Sequence, residues 1–147
     1  MGTLLAVSGA ALRKWCYITL GSHFTFKVCL LLHHELVTLG PYAWIRHPSY
    51  TGVHMVLFGA TAVIGSQGAW ASECGVLTTL GRGSLNRSAI TIWAWLIVVF
   101  WVIKCSYAVG SALRRVEVED HELKRKFGQV WEEYARRVKW ALISGVY

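Results

Sequence analysis

Proline and acidic residues are scarce in this sequence, and both are concentrated in short stretches. The 147 residues include two prolines, Pro41 and Pro48, and eight acidic residues, six of which lie between Glu117 and Glu133. Charged residues make up 16% of the chain against 54% hydrophobic residues, a composition typical of a membrane protein rather than a soluble globule. A chain of this length forms one domain at most.

Other absences exclude further classes of protein. The four cysteines form no CxxC pair and follow no regular spacing, so the sequence indicates neither a zinc site nor a disulfide framework. The layout of a signal peptide is missing, because Arg13 and Lys14 follow the first apolar run instead of preceding it. The net charge of +7 is not arranged as a basic stripe with interleaved aromatics, so we expect no binding to nucleic acid. Positive charge beside apolar spans instead indicates a cytosolic side facing anionic lipid.

Uncharged stretches dominate the first three quarters of the chain. Residues 1–12 and 15–26 are each shorter than the roughly 20 residues that a membrane span needs. Together they predict one imperfect span, an interfacial helix or the remnant of a longer N-terminal region. Residues 52–72 are long enough to cross, although their glycines also allow a re-entrant segment or a tightly packed helix pair. Residues 88–113 form the clearest transmembrane helix, interrupted only by one lysine.

The C-terminal segment, residues 114–147, has the pattern of an amphipathic helix. Its apolar stripe recurs at steps of four, four, three and four, and consists of Leu123, Phe127, Trp131, Tyr134 and Val138. Arg115 and Glu119 are also four residues apart and share a face. As a surface ion pair they would contribute only about 0.3 to 0.5 kcal/mol. A functional site therefore explains this pair better than stability does.

The stretch "GPYAWIRHPSYTG", residues 40–52, places rigid, polar and cationic groups at the beginning of an apolar segment. A residue before proline avoids the α region, so His47 should be non-helical and Pro48 should begin a helix. Unpaired N–H groups at that helix start would suit a carboxylate or a similar anion. A helix cap with interfacial aromatics explains the same residues. The nearby histidines lack a carboxylate at ligand spacing, so we expect no metal site.

Four segments in this order resemble the isoprenylcysteine carboxyl methyltransferase family of integral membrane methyltransferases. They are "LVTLGPYAWIRHPSYTG", the apolar hairpin that follows, "RRVEVEDHELKRKFGQVWEEYARRV" and "GVY" near the end, and the resemblance covers residues 10–147. It implies an all-α integral membrane helical bundle with a C-terminal amphipathic cytosolic helix. We expect one methyltransferase domain, residues 1–147, without the N-terminal spans of the usual family chain. It would comprise a cofactor loop and motif (27–51), a membrane hairpin with a polar insert (52–113) and a cytosolic C-terminal helix (114–147).

The resemblance also implies roles for individual residues around S-adenosylmethionine. The residues expected to bind this cofactor are His34, Glu35, Leu36, Val37, Tyr42, His47, Pro48, Ser49, Tyr50 and Glu119. Arg115 corresponds to the arginine that faces the substrate, and we expect it to be both the catalytic and the substrate-binding residue. Residues 66–88 are longer and more polar than the family's usual tight helical hairpin, and two further features depart from the family pattern. Lys27 stands where a neutral or acidic side chain is usual, and the family's pair of glutamates is Glu119 and Asp120 here.

The implied reaction is methylation of the C-terminal carboxylate of a prenylated cysteine, farnesylated or geranylgeranylated, in CaaX-type proteins. The implied location is the endoplasmic reticulum membrane, with several spans, contact with membrane lipid and an active site facing the cytosol. A cysteine carboxylate is already ionised near pH 7, so alignment matters more than a general base. A related phospholipid N-methyltransferase and a truncated, non-catalytic membrane fragment are the alternatives. An arginine beside a cationic headgroup makes the first of these the poorer match.

Overall fold

The computed structural model describes residues 1–21, 36–66 and 89–142. Within these ranges the secondary structure is helical and contains no strands. Helix α1 spans Gly2–Leu20, a short 3-10 helix spans Gly40–Ala43, and α2 spans Pro48–Ile64. Helix α3 spans Ala89–Phe127 and α4 spans Gln129–Arg137. The all-α prediction is therefore confirmed for the described residues, whereas the polar insert lies largely outside them.

Helix α1 is continuous through the basic pair that divides the first apolar region. It ends where Gly21 adopts a φ of 53° and donates its N–H to the carbonyl of Tyr17. The left-handed backbone at this position suits glycine, which has no Cβ to clash with the following carbonyl. Arg13 stays beside the helix, donating to the Tyr17 hydroxyl and covering Gly52 of α2. The N-terminal region is thus one helix that packs along α2.

Glycines allow α1 and α2 to approach each other closely. A Cβ on Gly9 would lie 2.7 Å from the carbonyl oxygen of Gly52, and one on Gly59 would lie 2.6 Å from the backbone nitrogen of Ala6. Such distances leave no room for a side chain, so the two backbones are in direct contact at two levels. Small residues at a helix interface permit this packing, which is common between membrane helices.

The predicted helix start at Pro48 is confirmed. Pro48 occupies the first turn of α2, and His47 has the non-helical angles φ −126° and ψ 60°. The proline sets its own φ for the helix and lacks the N–H that would be unpaired there. Helix α2 ends at Ile64, so the described part of the predicted 52–72 span is helical as far as residue 64.

Helix α3 combines an apolar half and a charged half. Among the described helices it is the one long and apolar enough to cross a membrane, with a mean hydropathy of 1.9 in its best window. Its apolar side chains are largely exposed, for example Trp93 at 65% and Phe100 at 63%. From Arg114 onward the helix carries the acidic and basic residues of the C-terminal segment. It ends at Phe127, where lysines and arginine in the last turn complement the helix dipole.

The prediction of one amphipathic helix across residues 114–147 is wrong at two points. Gly128 has a φ of 53° and separates α3 from α4, and Val138 already lies beyond the end of α4. A salt bridge of 3.0 Å between Lys124 and Glu132 links the two helices across the break. The stripe is nevertheless directed inward, since Trp131, Tyr134 and Val138 are buried.

Substitution of Gly59 should test the close packing of α1 and α2. We expect Gly59→Ala to destabilise the protein by roughly 1 to 3 kcal/mol, because the new methyl group forces two backbones apart. Gly110→Ala is the matched control, since nothing lies within 4 Å of a Cβ at that helical glycine. It should leave stability unchanged or raise it by about 0.5 to 1 kcal/mol. Thermal unfolding in detergent micelles measures both, and equal behaviour of the two variants would contradict this packing.

Candidate functional site

The 3-10 helix holds the beginning of the motif against two other elements. Tyr42 is buried, and its carbonyl accepts a hydrogen bond of 2.8 Å from the hydroxyl of Tyr134 in α4. Burial raises the pKa of Tyr134 to about 12, so this hydroxyl keeps its proton and remains a donor. On the other side Tyr42 contacts the fully buried Cys16 of α1. Residues far apart in sequence therefore fix the position of Tyr42.

The segment after α4 pairs with the backbone of the motif. The N–H groups of Arg46 and His47 donate to the carbonyls of Trp140 and Ala141, both at 2.9 Å. The Thr51 hydroxyl donates to the carbonyl of Leu142. The N–H groups before α2 are therefore used within the protein, and the helix start offers less to an anionic ligand than its sequence suggests.

A small hydrophobic cluster lies beneath this backbone pairing. Ala141 and Leu142 pack against Val116 of α3, and Tyr50 of α2 packs on all three. Val116 is among the largest fully buried side chains of the described residues. The cluster fixes α3 beside the start of α2, so that the acidic residues one turn further along α3 reach the motif.

Two adjacent carboxylates on α3 meet three side chains of the motif. Asp120 accepts a salt bridge from Arg46 Nη1 at 3.0 Å through Oδ2, and its Oδ1 lies 2.8 Å from His47 Nε2. Glu119 Oε2 lies 3.2 Å from His47 Nδ1, while its Oε1 accepts a hydrogen bond of 2.5 Å from the Tyr50 hydroxyl. We call these five residues the acid-pair network. All four carboxylate oxygens have a partner within it.

The geometry around His47 requires a doubly protonated ring. Both ring nitrogens face carboxylate oxygens, and a neutral imidazole has only one N–H to donate. Burial opposes the charged form, but the hydrogen bonds to Asp120 and Glu119 outweigh it and raise the pKa of His47. The side chain is 5% exposed. The two carboxylates therefore stabilise the charged form of this buried ring.

Arg46 completes the charge balance of the network. Its guanidinium carbon lies 5.8 Å from the centre of the Trp131 ring, a cation–π arrangement with α4. The side chains of Arg46 and Asp120 are 18% and 19% exposed, so their attraction is less screened than that of a surface pair. Two cations, Arg46 and His47, thus face two carboxylates.

Most of the residues expected at the site lie together in the structure. Six of them are at or beside the acid-pair network: Tyr42, His47, Pro48, Tyr50, Arg115 and Glu119. Arg115 is exposed and lies beside the Tyr50 hydroxyl, and Glu119 contacts His47 and Tyr50. The half-buried residues Leu36, Val37 and Ser49 lie on the same loop and first helical turn. His34 and Glu35 lie outside the described residues.

Sequence reasoning gave no role in the site to Arg46 or to the segment 140–142, and it placed Trp131 only in the apolar stripe. Asp120 was noted only as a variation on a family glutamate. Asp120 is next to Glu119 in the sequence, and Arg46 is next to His47. Because Glu119 and His47 were already candidates, this adjacency was a signal that Asp120 and Arg46 belong to the same site. No comparable pattern identifies the backbone pairing of residues 140–142, because its donors and acceptors are main-chain groups.

Comparison with known proteins assigns the chain to a family. A sequence model of the isoprenylcysteine carboxyl methyltransferase (ICMT) family matches residues 2–81, more than half of the chain. The chain belongs to this family. It is 30% identical over 139 residues to protein-S-isoprenylcysteine O-methyltransferase B of Arabidopsis thaliana, covering 93% of this chain and 55% of the relative. It is 32% identical over 149 aligned positions to the human protein-S-isoprenylcysteine O-methyltransferase, covering 99% of this chain and 42% of the relative.

A further relative has a higher sequence identity over a shorter region. The protein-S-isoprenylcysteine O-methyltransferase of Tribolium castaneum is 44% identical over 54 residues, which cover 35% of this chain and 19% of the relative. This chain of the isoprenylcysteine carboxyl methyltransferase family spans about half the length of the first two relatives.

The raised pKa of His47 predicts a pH dependence of stability. The charged imidazole stabilises the fold fully below its ordinary pKa of about 6.5, and this contribution is lost as the pH rises through the folded value. We expect the unfolding temperature in detergent to fall over that interval. His47→Gln should be less stable than wild type at pH 6 by roughly 1.5 to 3 kcal/mol and should lose this pH-dependent fall. His121→Gln is the control, since that side chain is 77% exposed. Parallel curves for wild type and His47→Gln would contradict the charged bridge.

Proposed function

We propose that this protein catalyses S-adenosylmethionine-dependent methylation of the C-terminal carboxylate of a prenylated cysteine. The observation that carries the proposal is the acid-pair network, in which His47 and Asp120 meet although they are 73 residues apart in sequence. Family membership and the names of the relatives support the reaction. The network also unites the two segments that the family resemblance assigned to one cofactor pocket.

The residues of the network fit the charge of the proposed cofactor. S-adenosylmethionine supplies a methyl group on a positively charged sulfonium. Glu119 is the more exposed of the two carboxylates, at 28%, and it borders the exposed Arg115. His47 and Tyr50 contact the Glu119 carboxylate on its buried side, while the carboxylate also reaches the surface. Glu119 can therefore attract a cation without losing its orientation. Tyr42 and Pro48 form buried walls on the motif side.

Arg115 is the residue proposed to bind the acceptor carboxylate. Its planar guanidinium matches the two oxygens of a carboxylate, and its position one turn before Glu119 brings acceptor and cofactor sites side by side. Arg115 lies where α3 changes from apolar to charged residues. Toward the apolar half, the exposed side chains of α3 offer a surface to a farnesyl or geranylgeranyl tail as well as to lipid.

The same division of α3 supports a membrane location with the site on the cytosolic side. The apolar half meets the length and hydropathy of a span, and the basic residues follow it on α3 and α4. We propose the endoplasmic reticulum membrane and several spans, in keeping with the family resemblance. The described loop 36–47 and the segment 138–142 are in contact, so they lie on one side of the membrane.

Two measurements on the purified chain in detergent test the function. Titration with S-adenosylmethionine tests the cofactor site, and transfer of the methyl group to a prenylcysteine analogue tests the reaction. Binding without transfer would support a non-catalytic chain, consistent with its covering about half of its relatives. Transfer to a phospholipid amine in place of the prenylcysteine would favour the N-methyltransferase. Absence of binding would reject the proposal.

Substitutions at Arg115 and Glu119 should separate acceptor binding from cofactor binding. Arg115→Lys keeps the charge but loses the two-pronged contact, so kcat/KM for the prenylcysteine analogue should fall roughly tenfold to a hundredfold with cofactor affinity nearly unchanged. Glu119→Gln should weaken cofactor binding first. Arg114→Lys is the matched control on the neighbouring exposed arginine and should behave as wild type. Full activity of Arg115→Lys would remove Arg115 from the site.

A further inference from the structure

Arg46 has no role in the proposed reaction, yet it is held from three directions. Its backbone N–H donates to Trp140, its guanidinium lies over the Trp131 ring, and its Nη1 contacts Asp120 Oδ2 at 3.0 Å. An arginine confined in this way loses side-chain entropy, which a surface salt bridge would hardly compensate. The position of Arg46 therefore affects how the Asp120 carboxylate interacts with its other partner, His47.

Asp120 has two oxygens and two cationic partners. Oδ2 faces Arg46 Nη1 at 3.0 Å, and Oδ1 faces His47 Nε2 at 2.8 Å. Arg46 also shares the negative charge of Asp120 with the imidazolium. Two cations on one carboxylate repel each other, and this repulsion makes it easier for His47 to lose its proton.

The proton on His47 controls the charge that Glu119 presents. While the ring is doubly protonated, Nδ1 donates to Glu119 Oε2 at 3.2 Å and neutralises that carboxylate. When the proton is lost, Glu119 keeps only the neutral hydrogen bond from Tyr50. Its negative charge then becomes available to a cationic ligand such as the sulfonium and ammonium groups of the proposed cofactor.

We infer that Arg46 is a positioning residue of this site, which shares the Asp120 carboxylate with His47 and thereby limits how firmly His47 keeps the proton that neutralises Glu119. The functional consequence rests on the proposed cofactor site, whereas the ionisation of His47 does not. Besides the two carboxylates, Tyr50 faces the ring, with ring centroids 6.2 Å apart. Arg115 lies beside the Tyr50 hydroxyl, and the hydroxyls of Tyr42 and Tyr134 lie near Glu119 and Asp120.

The ionisation of His47 can be followed directly in the full chain. Histidine-labelled protein in detergent micelles gives side-chain NMR signals, and the signal lost in His47→Gln identifies this residue. We expect Arg46→Gln to move the titration midpoint of His47 to higher pH, because the competing cation is gone, and Asp120→Asn to move it lower. Arg46→Lys keeps a cation beside Asp120 and should restore most of the wild-type midpoint.

Arg125→Gln is the control for the loss of one arginine. Arg125 is 71% exposed, and its ion pair with Glu122 lies on the surface of α3. It should leave the His47 midpoint unchanged. An Arg46→Gln midpoint that equals the Arg125→Gln midpoint, or that falls below the wild-type midpoint, would overturn the inference.

Titration with S-adenosylmethionine at several pH values connects the inference to function. Wild-type affinity should rise as the pH passes the His47 midpoint. In Arg46→Gln the same rise should occur at higher pH, so this variant should bind roughly threefold to tenfold more weakly at pH values between the two midpoints. Arg125→Gln should differ by less than about twofold. A wild-type chain that binds no cofactor at any pH would overturn the proposed function, while the NMR midpoints would still decide the role of Arg46. An unchanged pH dependence of affinity in Arg46→Gln beside binding by wild type would overturn the inference.

Discussion

The bridge from Glu119 through His47 to Asp120 is the interaction on which the rest of the described structure depends. It joins the start of α2 to the charged half of α3 through a cation that is 5% exposed. A buried ion of this kind is tolerated only when its partners are complete, and removal of one partner would leave an uncompensated charge. The Arg46 and Tyr50 contacts fill the remaining carboxylate oxygens, so the bridge and its neighbours form as one unit.

The apolar contacts of the described residues explain why this unit matters for the fold. Helices α1 and α2 pack tightly through their glycines, whereas the apolar half of α3 is largely exposed and meets α2 through the bond from Trp101 to Thr61. The hydrophobic cluster around Val116 lies directly beside the acid-pair network. The position of α3 is therefore set mainly at the polar end of the span, where the candidate site also lies. Stability and function share the same side chains.

Local chemistry was enough to predict several elements. Pro48 identified the start of α2, the uncharged run identified α3, and the periodic aromatic stripe identified the buried residues Trp131 and Tyr134. The break at Gly128 was missed because a glycine inside an amphipathic pattern also fits a continuous helix. The pairing of Arg46 with Trp140 and of His47 with Ala141 could not be predicted, since main-chain hydrogen bonds leave no pattern of side chains in so short a segment. Candidate residues were thus accessible from sequence, whereas the contacts that orient them required the fold.

The charge of His47 makes folding and ligand binding compete for the same proton. In the protonated form the imidazolium satisfies both carboxylates and ties α2 to α3. A cationic ligand needs one of those carboxylates. Its affinity is therefore highest when the ring has lost its proton and the ionic bridge between α2 and α3 is weaker. The cluster around Val116 and the backbone bonds to Trp140 and Ala141 do not titrate, and they keep the elements in place while the bridge changes its charge. A site built in this way can exchange an internal cation for an external one without losing its geometry.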